Sequence, residues 1–172
     1  MNEQALIASL ERFGGVLLAI VGGLPTEVAA RQGPKGEWSI LEIVAHLLDE
    51  EREDFRARLE STLFTPEKAW PPIDPQGWAE ARSYRERPLP IVAAEFVGER
   101  EISVAWLHEL EAPDWSRAHV HPRLGPIRAG DLLAAWAAHD WLHFRQIAKR
   151  LYENVDASAG EYETRYAGSW SI

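Results

Sequence analysis

Five prolines between residues 63 and 88 constrain this chain more than any other feature: Pro66, Pro71, Pro72, Pro75 and Pro88. Each lacks a backbone N–H and clashes with the carbonyl four residues back, so no continuous helix survives the segment. On both sides of it the apolar spacing is helical. The connection is too long for a tight helix hairpin. About 26 extended residues at roughly 3.3 Å each can run back along a 30 Å helix. The two helices it joins are therefore predicted to lie parallel, linked by a crossover with a short helical turn around Trp78–Arg82.

Four long helices are predicted. The first covers residues 3–22, with Leu6, Leu10, Phe13, Leu17 and Ile20 on one face, Asn2 as its cap, and Gly22, Gly23 and Pro25 to end it. Gly14 and Gly15 lower its propensity and mark close packing. The second has the strongest start signal. In Ser39-Ile40-Leu41-Glu42, Ser39 caps and Glu42 reaches back, while Trp38 and Ile43 staple the entry. It runs from Ile40 to about Thr62 with a core stripe of Leu41, Val44, Leu48, Phe55 and Leu59. The third covers Pro90 to Leu110, with Val92, Phe96 and Val104 among its apolar positions. Residues His119–Pro126 form a turn or short extended segment. The fourth helix covers Ala129 to Tyr152 and is apolar nearly all round, which predicts a buried element. Tyr162, Tyr166 and Trp170, spaced by four, predict one more short helix against the body or another subunit. The fold class is all-α, a single helical-bundle domain over residues 1–172.

Composition narrows the functions. A net charge of −9 argues against nucleic acid and against an anionic membrane surface as partners. With no cysteine, the chain has no disulfide, thiolate nucleophile or zinc–thiolate site, so any thiol chemistry must borrow its thiol from a substrate. The N-terminus has no basic n-region, which predicts no signal peptide, and no apolar run approaches membrane-spanning length. A cytoplasmic location fits. Eight tryptophans imply a heavily aromatic core, with some left to line a cleft or interface.

His139 and His143 stand four apart on the fourth helix and project to one side. Two imidazole nitrogens there can converge on one ion at about 2.0–2.1 Å. His46, from the second helix, supplies a third. The competing reading is a set of core or interface histidines bonded to carbonyls. A helical wheel places His46 opposite Leu41, Val44, Leu48 and Phe55, which predicts a site at the bundle's edge beside a cleft, or a surface histidine. Asp49 and Glu50 share the broad face of His46 and are candidates for a fourth ligand, an acceptor for an imidazole N–H, or a general base. Their other reading is a solvated helix face. Gln146, one turn after His143, is a candidate to orient a water or to satisfy a backbone group. Asp140 points about 100° from His139. His119 and His121 read as loop structure and His108 as solvent-facing.

Trp38-Ser39, Glu42, His46-Leu47 and Glu50, followed by His121-Pro122, Leu124-Gly125, Leu132-Leu133, His139-Asp140, His143 and Gln146-Ile147, resemble the DinB-like superfamily. That group includes damage-inducible DinB proteins and bacterial thiol-dependent S-transferases. The resemblance implies a four-helix bundle with a long crossover between helices 2 and 3. It implies a metal triad falling on His46, His139 and His143, and a homodimer. The stretch Arg128-Ala129-Gly130-Asp131 departs from the Thr or Ser that often caps the last helix in such proteins, with Asp131 near the positive helix end in its place. The resulting expectation is a divalent ion, zinc, nickel or iron, serving an S-transferase that joins a low-molecular-weight thiol to an electrophile in detoxification or stress response. The alternatives are a metal-dependent hydrolase and a non-catalytic dimeric metal-binding or stress-response protein.

Overall fold

Asn2 accepts a hydrogen bond from the Ala5 N–H at 3.1 Å and starts helix α1, Glu3–Val21. The structure, a computed structural model, describes residues 1–170. Gly14 is buried against residues 97 and 100 of the third long helix, whereas Gly15 faces open space, so only the first glycine marks a helix contact. A short α2, Thr26–Ala30, precedes the capping box. There Ser39 Oγ accepts from the Glu42 N–H at 3.2 Å and Glu42 accepts from the Ser39 N–H at 2.9 Å, setting off α3, Ile40–Glu50. The rod continues through a π-helical turn, Glu51–Phe55, into α4, Arg56–Phe64. The proline-rich connection holds α5, Pro75–Ala81, capped by Asp74 through the Gly77 N–H at 3.0 Å. Then come α6, Leu89–Glu109, and a hairpin of β1, Ala118–His121, with β2, Gly125–Arg128, whose turn uses Gly125 at φ +76°. The last helix, α7, spans Ala129–Ser158. Asp131, at the third position of the helix, accepts from the Arg128 N–H at 3.1 Å, the reach-back half of a capping box, while Arg128 stands where a capping Ser or Thr would be.

Side-chain pairings give the directions. Arg52 meets Glu95 and Glu99 while Arg56 meets Glu99 and Ser103, so the α3–α4 rod and α6 run parallel, as the crossover requires. His46 meets His143 while Phe55 meets Trp136 and His139, so α7 is antiparallel to that rod. The apolar core forms two clusters. One is built on Phe13, Leu17, Val44, Leu48, Phe96 and Ile147, the other on Leu10, Leu59, Leu63, Val104, Leu133 and Trp136.

Between them in sequence on every long helix lies a buried charge network. The Arg100 guanidinium is 2% exposed. It donates to Glu51 at 2.8 and 3.0 Å, to Asp140 at 2.6 and 3.0 Å, and to the Leu10 carbonyl at 3.0 Å. Trp136 Nε1 donates to the same Glu51 at 2.9 Å. Burial disfavours the Arg100 charge, but the Asp140 and Glu51 carboxylates outweigh that and hold its pKa up.

Three sequence expectations need correction. First, α7 is not buried all round: Trp141 is 38% and Leu142 57% exposed, and the helix continues six residues past Tyr152. A bundle helix buries one face only, and a count of apolar residues does not reveal which. Second, His46 is not a surface residue: it is 5% exposed, as every residue from Ile40 to Glu51 is buried, although it does border a cleft. This stretch is packed against α2, α5, α6 and α7. Third, α1 has a mean hydropathy of 1.5 over its best window and passes the length and composition test for a membrane span. Its leucines, isoleucines, valines and alanines raise the average, although Glu11 and Arg12 interrupt the apolar run. Its Ile7, Leu10, Phe13, Leu17 and Val21 are buried within the bundle.

Replacing Arg100 with Leu would strand two buried carboxylates. We expect a loss of about 3–5 kcal/mol in the free energy of unfolding by urea titration. A loss below about 1 kcal/mol would show that the network does not hold the helices together.

Candidate metal centre

The i, i+4 spacing on α7 brings the His139 and His143 Nε2 atoms to 3.0 Å, and antiparallel packing brings His46 Nε2 to 3.1 Å from His143 Nε2. The three form a cluster whose ligand atoms all lie within 4.8 Å of one another. Two nitrogens held by one ion at about 2.1 Å stand about 3.0 Å apart at right angles and about 3.4 Å at the tetrahedral angle. The imidazoles therefore fit a single divalent cation. Gln146 Oε1 sits 2.9 Å from His143 Nδ1 and accepts its proton, which leaves the His143 Nε2 lone pair facing the shared point.

Apolar rings flank the cluster. Trp38 lies 4.9 Å from the His46 ring and Phe55 lies 4.9 Å from the His139 ring, centroid to centroid. Burial, with a contribution from the neighbouring His143, lowers the pKa of His46 to about 3, and the same causes bring His139 to about 3. Burial also lowers His143. All three are thus neutral near pH 7, the form that ligates a metal.

The acidic candidates lie off the Nε2 side. Glu50 Oε1 is 3.9 Å from His46 Nδ1, and both atoms are buried without a hydrogen-bond partner. Burial and the adjacent Asp54 push the Glu50 carboxyl up to about 8. Asp49 accepts from Tyr84 Oη at 2.5 Å and pairs with Arg82 at 3.0 Å, so it ties α3 to the crossover. Gln146 orients His143 rather than serving a backbone group. Asp140 belongs to the Arg100 network. His119 stacks on Trp70 at 4.2 Å and meets the Pro66 carbonyl at 2.9 Å, which fixes the hairpin against the crossover. His121 accepts from the Arg123 and Leu124 N–H groups within its own turn, and His108 is exposed.

A cleft of about 580 Å³ opens onto the cluster, with His46, His143, Gln146, Gln76, Trp38 and Trp170 among its lining. Trp170 comes from the tail, where the described residues past α7 form a 3-10 turn at Arg165–Ala167 instead of the predicted helix. Tyr162 and Tyr166 are widely exposed, and Trp170, 36% exposed, lies 5.5 Å from the Tyr152 ring. Trp38 and Phe55 as walls of the site were not foreseen. Their signal was positional: Trp38 stands just before the cap of the helix that carries His46. Phe55 was hidden by the π turn.

Gln146→Leu should weaken metal binding about 10–100-fold in a competition titration against a chelator, because His143 loses its orienting acceptor. Unchanged affinity would mean that Gln146 does not set the tautomer. Acid should also act on the metal-free protein. His46 and His139 titrate near 3 folded but near 6.5 unfolded, so the unfolded chain binds the protons first. Stability contributed by the neutral rings is present above about 6.5 and lost as the pH falls toward 3. Urea titrations between pH 6.5 and 4 should give a shallower pH slope for His139→Gln than for wild type. Equal slopes would overturn the assignment.

No curated protein matches the chain. Among solved structures, YfiT from Bacillus subtilis matches with a TM-score of 0.80 and 19% identity, covering 89% of this chain and 87% of that one. It is described as a probable metal-dependent hydrolase with an unusual four-helix bundle topology. The family model of the DinB superfamily matches residues 9–147, so the chain belongs to the DinB superfamily.

Proposed function

We propose that this protein is a divalent-metal-dependent S-transferase that joins a low-molecular-weight thiol to an electrophile, in detoxification or stress response. His46, His139 and His143 would hold the ion, with zinc favoured by abundance and nickel or iron equally suited to imidazole. When bound, such an ion supplies Lewis acidity that favours loss of a proton from a thiol or a water. The rest falls to the chain. Gln146 fixes the His143 ring, Trp38 and Phe55 keep the imidazoles in an apolar setting, and the cleft admits the thiol and its electrophile.

One observation carries the choice of thiol. Among the described residues, neither Asp49 nor Glu50 faces the Nε2 side of the cluster: Asp49 is engaged by Tyr84 and Arg82, and Glu50 stands behind His46 at Nδ1. A thiol with an ordinary pKa near 8.5 needs little help to ionise at pH 7, whereas water, at about 15.7, needs a great deal. A site without a well-placed general base suits the thiol. The absence of cysteine agrees, since the thiol arrives as substrate. Metal-dependent hydrolysis is the second reading, favoured by the description of YfiT. A cytoplasmic homodimer is part of the proposal.

The test begins with metal analysis of the purified protein beside His143→Ala. Near-stoichiometric metal is expected in the first, with a large loss in the second. A panel of thiols with an electrophilic chromogen is then run beside a panel of esters and amides. Metal-dependent thiol conjugation is expected. Turnover confined to the esters or amides would replace the transferase with a hydrolase, and inactivity in both panels would leave a non-catalytic metal-binding protein.

A further inference from the structure

The charges lining the cleft are the reverse of the protein's own. The chain carries a net −9, yet one helix supplies Arg145, Lys149 and Arg150 to this opening. Arg150 is internally compensated. It is 4% exposed, pairs with Glu153 at 3.1 Å and with Glu37 at 3.6 Å, and lies so close over Gly33 that a Cβ there would fall 1.4 Å from Nη1. Glu37 in turn accepts from the Lys35 N–H at 2.8 Å, which with the nearby Arg150 holds its carboxyl below the ordinary value. The remaining two cations are poorly matched. Lys149 reaches Glu153 only at 4.0 Å, and that carboxylate already serves Arg150. Arg145 is exposed and pairs with no carboxylate among the described residues. Arg145 and Lys149 are an i, i+4 pair, so their heads reach the rim together.

We propose that the cleft selects a small molecule bearing an anionic oxyacid group, carboxylate or phosphate. Arg145 and Lys149 hold that anion at the rim, and the ligand's body lies between Trp38 and Trp170 with its other end toward the three imidazoles. The inference rests on the cleft being the substrate site of the proposed enzyme. Its chemistry is charge-assisted hydrogen bonding. A guanidinium and an ammonium offer donors in the plane and at a point, both suited to oxyanions. A volume of about 580 Å³ accommodates a ligand with room for both ends.

Calorimetric titration of the metal-loaded protein at low salt tests it, using 3-mercaptopropionate and its uncharged counterpart 2-mercaptoethanol. The anionic thiol should bind about tenfold more tightly, as expected for two part-exposed ionic contacts. In the double variant Arg145→Gln, Lys149→Gln the gap should close to within about twofold, with bound metal at the wild-type level. Inorganic phosphate and acetate should each displace 3-mercaptopropionate, and the stronger competitor identifies which oxyacid the site prefers. Equal affinities for the two thiols in wild type, or a gap that survives in the double variant, would overturn the proposal. The two readings fail separately. Turnover of thiols without anion preference removes this inference and leaves the transferase, whereas anion preference without turnover of any thiol removes the transferase and leaves this inference.

Discussion

One guanidinium touches all four long helices. Arg100 of α6 bonds the Leu10 carbonyl of α1, Glu51 at the end of α3 and Asp140 of α7. A buried cation with two buried carboxylates is weak evidence for stability, since desolvation offsets much of the attraction. It is stronger evidence for geometry. Burial pushes the Asp140 carboxyl up to about 6 even against the pull of Arg100, so its charge depends on keeping that partner. Apolar helices can slide and rotate on each other at modest cost, but this cluster has one good arrangement. Asp140 lies next to His139 and three residues before His143, and Glu51 lies five after His46. The contacts that set the rotation of α3 and α7 therefore also set the convergence of the imidazoles.

Much of the fold was legible because its signals are local. Ser39 and Glu42 satisfy each other's backbone donors within one turn, Asn2 caps its own helix, and the prolines forbid helix wherever they fall. The crossover followed from length alone, and the parallel pairing of α3–α4 with α6 agrees with it. Signals that depend on a partner were not legible. Nothing in the sequence around Arg100 distinguishes it from an exposed arginine, because its acceptors lie 40, 49 and 90 positions away. The surface exposure of Trp141 and Leu142 is a property of the bundle, not of α7.

The candidate site was half legible for the same reason. His139 and His143 announce themselves by spacing on one helix, and His46 by its place on a second helix of suitable length, to which the family pattern also points. The burial of His46 depends on α2, α5 and α7 closing over a face that the wheel leaves open. The role of Gln146 required the ring orientation of His143, which a helical spacing cannot give. Asp49 and Glu50 lie near His46 in sequence, but one is drawn away by Tyr84 and Arg82 and the other faces the far ring nitrogen.

The wide turn at Glu51–Phe55 explains one of these misreadings and carries a consequence of its own. In an unbroken α-helix, nine positions separate Phe55 from His46 by about 180°. One extra residue in a π turn reduces that to about 80°, which brings Phe55 round onto His139. The rod is thus two amphipathic frames joined out of phase. The upstream frame presents His46 to α7, and the downstream frame presents Leu59 and Leu63 to the far cluster. Deleting a single residue there would restore a regular helix while forcing a choice between the two halves, so an insertion that looks like a defect is what lets one rod serve both ends of the bundle.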